Sequence, residues 1–242
     1  MMLLGLVLTL DAIAANEATL LYTFYAPMPA DGAFCLGIAL IFIANWGVGY
    51  QILAMRWRWH AAPPGRITPL VSWMSAVTMS MWFLASLGAV AAVVIWHIPA
   101  FLGWIDGMPP MITRKLFWWS GHPIVYFWLM PAYISWYALI PRQIGGVLIS
   151  DPLARVSFIL LMLFSLPVGT RHQLMDAGIP DVMRAIVIFL TFTVILPSLL
   201  TAFTVGASLE YAGRARAAGV IRASRRSCWR CCCSSSAGRA GW

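Results

Sequence analysis

His122 and Tyr126, inside LFWWSGHPIVY at 116–126, are the residues of this chain whose types and spacing best suit chemistry. Four positions apart, they share one face of a helix. Imidazole and phenol are costly to bury in hydrocarbon, so a buried pair generally has partners and a function. The competing reading is an interfacial aromatic belt, in which Trp118, Trp119 and Tyr126 only anchor a helix at the headgroups. A second imidazole, His172, lies fifty residues on. Neutral imidazole nitrogen suits copper, iron and zinc, whereas a lone membrane histidine more often bonds one helix to another. Beyond His122, Tyr133 and Tyr137 continue the same stretch, and Thr191, Ser198, Thr201 and Thr204 form a later series of hydroxyls. Such a series can relay protons, but Ser and Thr also bond back to the preceding turn of their own helix.

The elements that must position these groups follow from composition. The chain has 242 residues, is 61% apolar and carries only 16 basic and 8 acidic side chains. Soluble domains run at about 45–50% apolar and about 25% charged, so a water-soluble fold is excluded. Five apolar stretches reach the roughly 20 residues needed to cross a bilayer: Ala33–Met55, Leu70–Ile98, Leu116–Ile140, Leu153–Leu174 and Val182–Tyr211. They are too long and too continuously apolar for strands. AAPPGR at 61–66, DGMPP at 106–110, PRQIGG at 141–146 and DAGIPD at 176–181 supply the turns. The expected fold is all-α, a polytopic transmembrane helical bundle of about five spans. Residues 1–15 form a truncated helix or interfacial stub, because MMLLGLVLTLDAIAA lacks the basic start of a signal peptide.

Basic residues orient the bundle. Arg56, Arg58, Arg66, Arg142, Arg155 and seven tail arginines fall on the cytoplasmic side, and Asp11, Glu17, Asp31, Asp176 and Asp181 fall outside. In that orientation the third span enters from outside near His122 and the fourth leaves towards outside near His172. The two imidazoles therefore reach similar depth in the outer half of the membrane, as two metal ligands on facing helices would. The net charge of +8 comes largely from the last 29 residues and makes no case for nucleic acid.

LFWWSGHPIVYFWLMPAY, GGVLISDPLAR, SLPVGTRHQLMDAGI and LPSLLTAFTVGASLEYAG, with ANEATLLYTFYAP at 15–27, closely resemble subunit I of the haem–copper oxidases, in particular the B-type cytochrome c oxidases. The resemblance runs in order from about Asn16 to Arg214, and HPIVY is its most specific block. It implies that His122 ligates the copper called CuB. It also implies that Tyr126 is bonded covalently to that histidine and gives an electron and a proton when the O–O bond breaks. Positions matching Tyr133, Tyr137, Ser198 and Thr201 line a proton path in the family. Tyr126 separates oxidases from the related nitric oxide reductases. The implied cofactors are copper and haem, the substrate is O2, and the implied partners are oxidase subunit II, cytochrome c and membrane lipid.

Three features depart from the family pattern. Two adjacent copper-ligating histidines follow its Pro-Val-Gly turn, whereas this chain has Arg171-His172. Arginine stays protonated and has no free lone pair, so Arg171 occupies a third ligand position that it cannot fill. Haem-ligating histidines are absent from the chain. His60 reads as a solvated or headgroup-facing residue and His97 as an interfacial cap. Finally, the segment 214–242 loses the helical pattern and gathers four of the five cysteines, reading as a disordered or frame-shifted basic tail. Its crowded cysteines do not match zinc spacing, and a lipidated tail is an alternative.

The leading expectation is that residues 16–213 are the central part of an oxidase subunit I in a bacterial or archaeal plasma membrane. The alternatives are a non-catalytic degenerate fragment or assembly partner, a small transporter, and a nitric oxide reductase relative.

Overall fold

Proline, glycine and capping residues divide the apolar chain into helices at the expected places. The computed structural model describes residues 1–20, 28, 30–61, 65, 67–176 and 178–217. Arg66, part of the family-like segment at 15–27, and the tail from 218 lie outside these residues. The helices are α1 (Met2–Ala14), α2 (Gly32–Ala61), α3 (Leu70–Ala92), α4 (Ile98–Phe101), α5 (Pro110–Gln143), α6 (Asp151–Ser165), α7 (Asp181–Thr193) and α8 (Ile195–Ala217). A π-helical turn, Val93–His97, joins α3 to α4, and a 3₁₀ helix, Pro167–Gln173, follows α6. Among the described residues the only extended pairing is an isolated bridge between Ala18 and Ala30.

Four continuous helices are long and apolar enough to cross a membrane: Gly32–Ala61, Leu70–Phe101, Pro110–Gln143 and Asp181–Ala215. The α6–3₁₀ pair, bent by 44°, is a broken fifth span or a re-entrant loop. The all-helical bundle expected from hydropathy is present with four to five spans, and α1 is a short apolar helix before it. Asp31 accepts a bond from Ala33 N–H at the start of α2, and Ser150 accepts one from Leu153 N–H at the start of α6. Gly145, at φ +70°, lets the chain leave α5. α8 continues through Ala217, so residues 214–217 extend the last helix.

Small residues bring the helices close. A side chain at Gly5 would meet the Gly37 carbonyl at 2.6 Å, which is how α1 lies tightly on α2. On α3, Ala85, Gly88, Ala89 and Ala92 form a smooth face against α5, the small-residue packing favoured between membrane helices. Ser120 seals that seam: its hydroxyl donates to the Ala85 carbonyl and accepts from Ala89 N–H at 2.7 Å. Met74 and Met81 of α3, Met130 of α5, and Phe158 and Leu161 of α6 form the buried core. Large side chains such as Trp128, Phe189 and Phe203 point outward, towards lipid in a membrane.

Candidate functional site

On α5, His122, Tyr126, Met130, Tyr133 and Tyr137 repeat at spacings of four, four, three and four, which lines them along one stripe. His122 is buried, with 3% exposure, while Tyr126 is half-buried against the core. The two rings meet edge to face with centroids 5.1 Å apart. The α3–α5 seam fixes the rotation of α5, because Gly88 abuts the Leu116 carbonyl and Trp119 Nε1 donates to the Leu84 carbonyl at 3.1 Å.

His172 arrives from the other side, on the 3₁₀ helix. The α-helix ends at Ser165, two residues before Pro167, whose missing N–H cannot continue the ladder. Gly169 then lies so close to the Trp118 backbone that no Cβ fits between them. In a 3₁₀ helix, residues three apart eclipse, so His172 stands over Gly169 on the same face. It stacks flat on Trp118, with centroids 3.8 Å apart and planes 11° from parallel. This brings His172 Nε2 to 3.3 Å from His122 Nδ1. At metal–nitrogen bonds of about 2.0–2.1 Å, two donors this far apart subtend roughly 105–110° at one ion. His122 Nε2 is buried and has no partner.

The donor set stops at two. Arg171 is exposed. Among the described residues, no group of three or more His, Cys, Asp or Glu is placed to hold a metal. The pair suits copper as two converging imidazoles, with a cation where a third would stand. Haem does not fit the remaining histidines. His60 shares a 2.7 Å hydrogen bond with Thr68 at the inner end of α2. His97 is buried at 4% exposure in the π-helical turn, rather than capping the span at its surface.

Further in, the hydroxyls are linked. Tyr137 Oη lies 3.4 Å from Ser157 Oγ, and Thr201 Oγ1 donates to the same Ser157 oxygen at 3.4 Å. Tyr137, Ser157 and Thr201 are buried, joining α5, α6 and α8. Thr201 also donates to the Pro197 carbonyl at 3.0 Å, and Thr204 to Leu200, so both back-bond as membrane hydroxyls commonly do. Thr191 bonds only to its own helix, at the Val187 carbonyl. Ser198 is half-buried one turn before Thr201, and Tyr133 is buried one turn before Tyr137. Between Tyr126 and Tyr133 the stripe carries Met130, which is apolar.

Sequence reasoning passed over Ser157 and Gln173. Ser157 had a readable signal: a serine in the inner half of the fourth apolar stretch, at the depth of Tyr137. Gln173 is 1% exposed, with neither its amide oxygen nor its nitrogen bonded. It follows His172 at the edge of a loop, where burial cannot be read from pattern. On the outer side Arg114 pairs with Asp176 at 3.3 Å and ties α5 to the end of the 3₁₀ segment.

Residues 1–222 match the family described as cytochrome C and quinol oxidase polypeptide I. The chain is 50% identical over 216 residues to cytochrome c oxidase subunit 1 of Thermus thermophilus, covering 89% of this chain and 38% of that protein. It is 29% identical over 133 residues to quinol oxidase subunit 1 of Sulfolobus acidocaldarius, covering 55% of this chain and 25% of that one. Among solved structures, a cryo-EM structure of a heme-copper terminal oxidase dimer superposes with a TM-score of 0.84 at 38% identity, over 89% of this chain and 38% of that chain. The chain thus spans well under half the length of these relatives.

Proposed function

From a chain that belongs to the cytochrome c and quinol oxidase polypeptide I family, we propose the oxygen-site segment of an oxidase subunit I, serving an enzyme that reduces O2 to water with electrons from cytochrome c. The observation that carries this reading is the approach of His122 Nδ1 and His172 Nε2 to 3.3 Å beside Tyr126. In this reading His122 and His172 hold copper, CuB. Copper held by these residues would supply an electron and a docking point for dioxygen. Neither His60, bonded to Thr68 at the end of α2, nor His97, buried in the π-helical turn, would hold haem against this pair.

The chain's own residues do the positioning and the proton handling. Trp118 holds the His172 ring flat and fixes its direction, and the core around His122 fixes the ring whose nitrogen would offer a lone pair. Tyr126, one turn from His122, supplies a proton and an electron. Tyr133, Tyr137, Ser198 and Thr201, now with Ser157, carry protons from the cytoplasmic side, with water joining Tyr133 to Tyr126 past Met130. A path open to one side couples the reaction to the membrane potential, since one charge crossing 100 mV is worth about 2.3 kcal/mol. The proposed setting is a bacterial or archaeal plasma membrane, in keeping with the Thermus and Sulfolobus relatives, with subunit II and cytochrome c as partners.

Arg171 favours a second reading, a non-catalytic membrane protein that keeps the scaffold without the metal. Copper analysis of the chain purified from copper-fed cells separates the two. Under the oxidase reading copper copurifies with the wild-type chain and is lost in both His122→Ala and His172→Ala. Equal copper in all three proteins, or none in any, rejects it in favour of the second reading.

A further inference from the structure

At the inner ends of α2 and α3 the bundle carries a groove of about 300 Å³. One wall is a single face of α2, Ile52, Met55, Arg56 and Trp59, at helical spacing. The other is Val71, Ser72 and Ser75 of α3, and Thr68 and Pro69 close its inner end. Thr68 is pinned from two directions: His60 bonds its hydroxyl, and Arg155 donates to its carbonyl at 2.9 Å. The groove is therefore a fixed feature and not a chance gap between loose ends.

Its charge is unbalanced. Asp151 pairs with Arg155, and among the described residues no ion pair includes Arg56. The Arg56 Nε is buried and has no hydrogen-bond partner. A guanidinium nitrogen withdrawn from water calls for an acceptor, and a negatively charged one serves best. The groove lies where the apolar run of α2 gives way to RWRWH: Thr68 closes its polar end, Arg56 stands one turn in from Trp59, and Met55 and Ile52 continue beyond, facing Val71, Ser72 and Ser75 of α3. The order along α2, cation followed by hydrocarbon, matches an amphiphile with its charged end at the loop.

We infer that this groove holds one anionic phospholipid, its phosphate on Arg56 Nε and its upper acyl chain along Ile52, Met55 and Val71. The site is separate from the histidine pair and does not depend on the oxidase reading.

The test uses the full chain in nanodiscs of mixed phosphatidylcholine and phosphatidylglycerol, released into native mass spectrometry to count retained lipid. A basic residue near an anionic surface contributes about 1 kcal/mol, so phosphatidylglycerol should be retained roughly fivefold over phosphatidylcholine. Arg56→Gln should abolish that preference, and Ser72→Trp, which fills the groove and leaves the charge, should abolish it too. Arg58→Gln, exposed and outside the groove, should keep it, and added inorganic phosphate should not displace the lipid. Equal retention of the two lipids by the wild-type chain overturns the inference. So does undiminished preference in whichever of Arg56→Gln and Ser72→Trp folds, and so does displacement by inorganic phosphate, which would mark a site for the free ion.

Discussion

On the oxidase reading, replacing Arg171 with histidine should raise copper affinity at the proposed site. The two imidazoles already converge, with nitrogens 3.3 Å apart, so the substitution needs no movement of either. The gain has two parts. Removing the guanidinium removes a like-charge repulsion, which the exposure of Arg171 to solvent holds to about 1 kcal/mol or less, roughly fivefold in affinity. Adding a third imidazole supplies a direct ligand, and even residues that only orient ligands change affinity by about 10–100-fold. Together these place copper(I) affinity in Arg171→His roughly a hundredfold above the parent chain. Competition against a chromophoric copper(I) chelator measures this in detergent or nanodiscs, and His122→Ala added to Arg171→His should reverse it. An Arg171→His affinity within threefold of the parent, or an affinity that survives loss of His122, would refute the assignment of these residues to one site.

Gly169→Ala should push the 3₁₀ helix off the Trp118 backbone, because the new methyl has no room there. Overpacking of this kind costs about 1–3 kcal/mol, read as a lowered melting temperature, and copper affinity should fall with it as His172 loses its stack on Trp118. Ser157→Ala should break the only hydrogen-bonded link between Tyr137 and Thr201 seen among the described residues. Thr201 keeps its bond to Pro197, so stability should fall by about 1 kcal/mol or less. In an assembled oxidase, proton uptake should slow about tenfold, equivalent to about 1.4 kcal/mol in barrier, with copper content unchanged. Unchanged proton uptake would remove Ser157 from the path.

Hydropathy made the spans legible because lipid imposes one requirement over a long window, and twenty apolar residues meet it wherever they lie. The meeting of His122 and His172 was legible in outline, since antiparallel spans read from hydropathy put the start of the third beside the end of the fourth. The irregular turns were not. The π-helical turn at Val93–His97 depends on backbone bonding that no residue type announces, and it carries His97 inward from the surface position its place in the span suggested. The apolar stretch Leu153–Leu174 ran straight through Pro167, where the structure ends the α-helix, bends by 44° and continues as 3₁₀ helix with Gly169 against α5. Ser157 stayed hidden because its role needs three helices at once, and no window along one chain segment contains Tyr137, Ser157 and Thr201.

The same contacts explain how the histidine pair keeps its geometry beside an arginine. His172 is directed by the Trp118 ring beneath it and by Gly169 against the α5 backbone, and His122 by its place in the core and the Ser120 seam. None of these contacts involves position 171, and none requires an ion. Position 171 is exposed, so a long cation there can extend into water without dislodging the turn. On the oxidase reading, the arginine at 171 would therefore weaken metal affinity without removing the scaffold, and scaffold loss at Gly169 should weaken both. A double-mutant cycle on Gly169→Ala and Arg171→His makes the distinction measurable. If the scaffold sets the site, Arg171→His gains its full copper affinity only when Gly169 is kept, and the two effects are far from additive. Additive effects would mean that residue 171 finds the metal without the turn, and the preformed pair would lose its place in the argument.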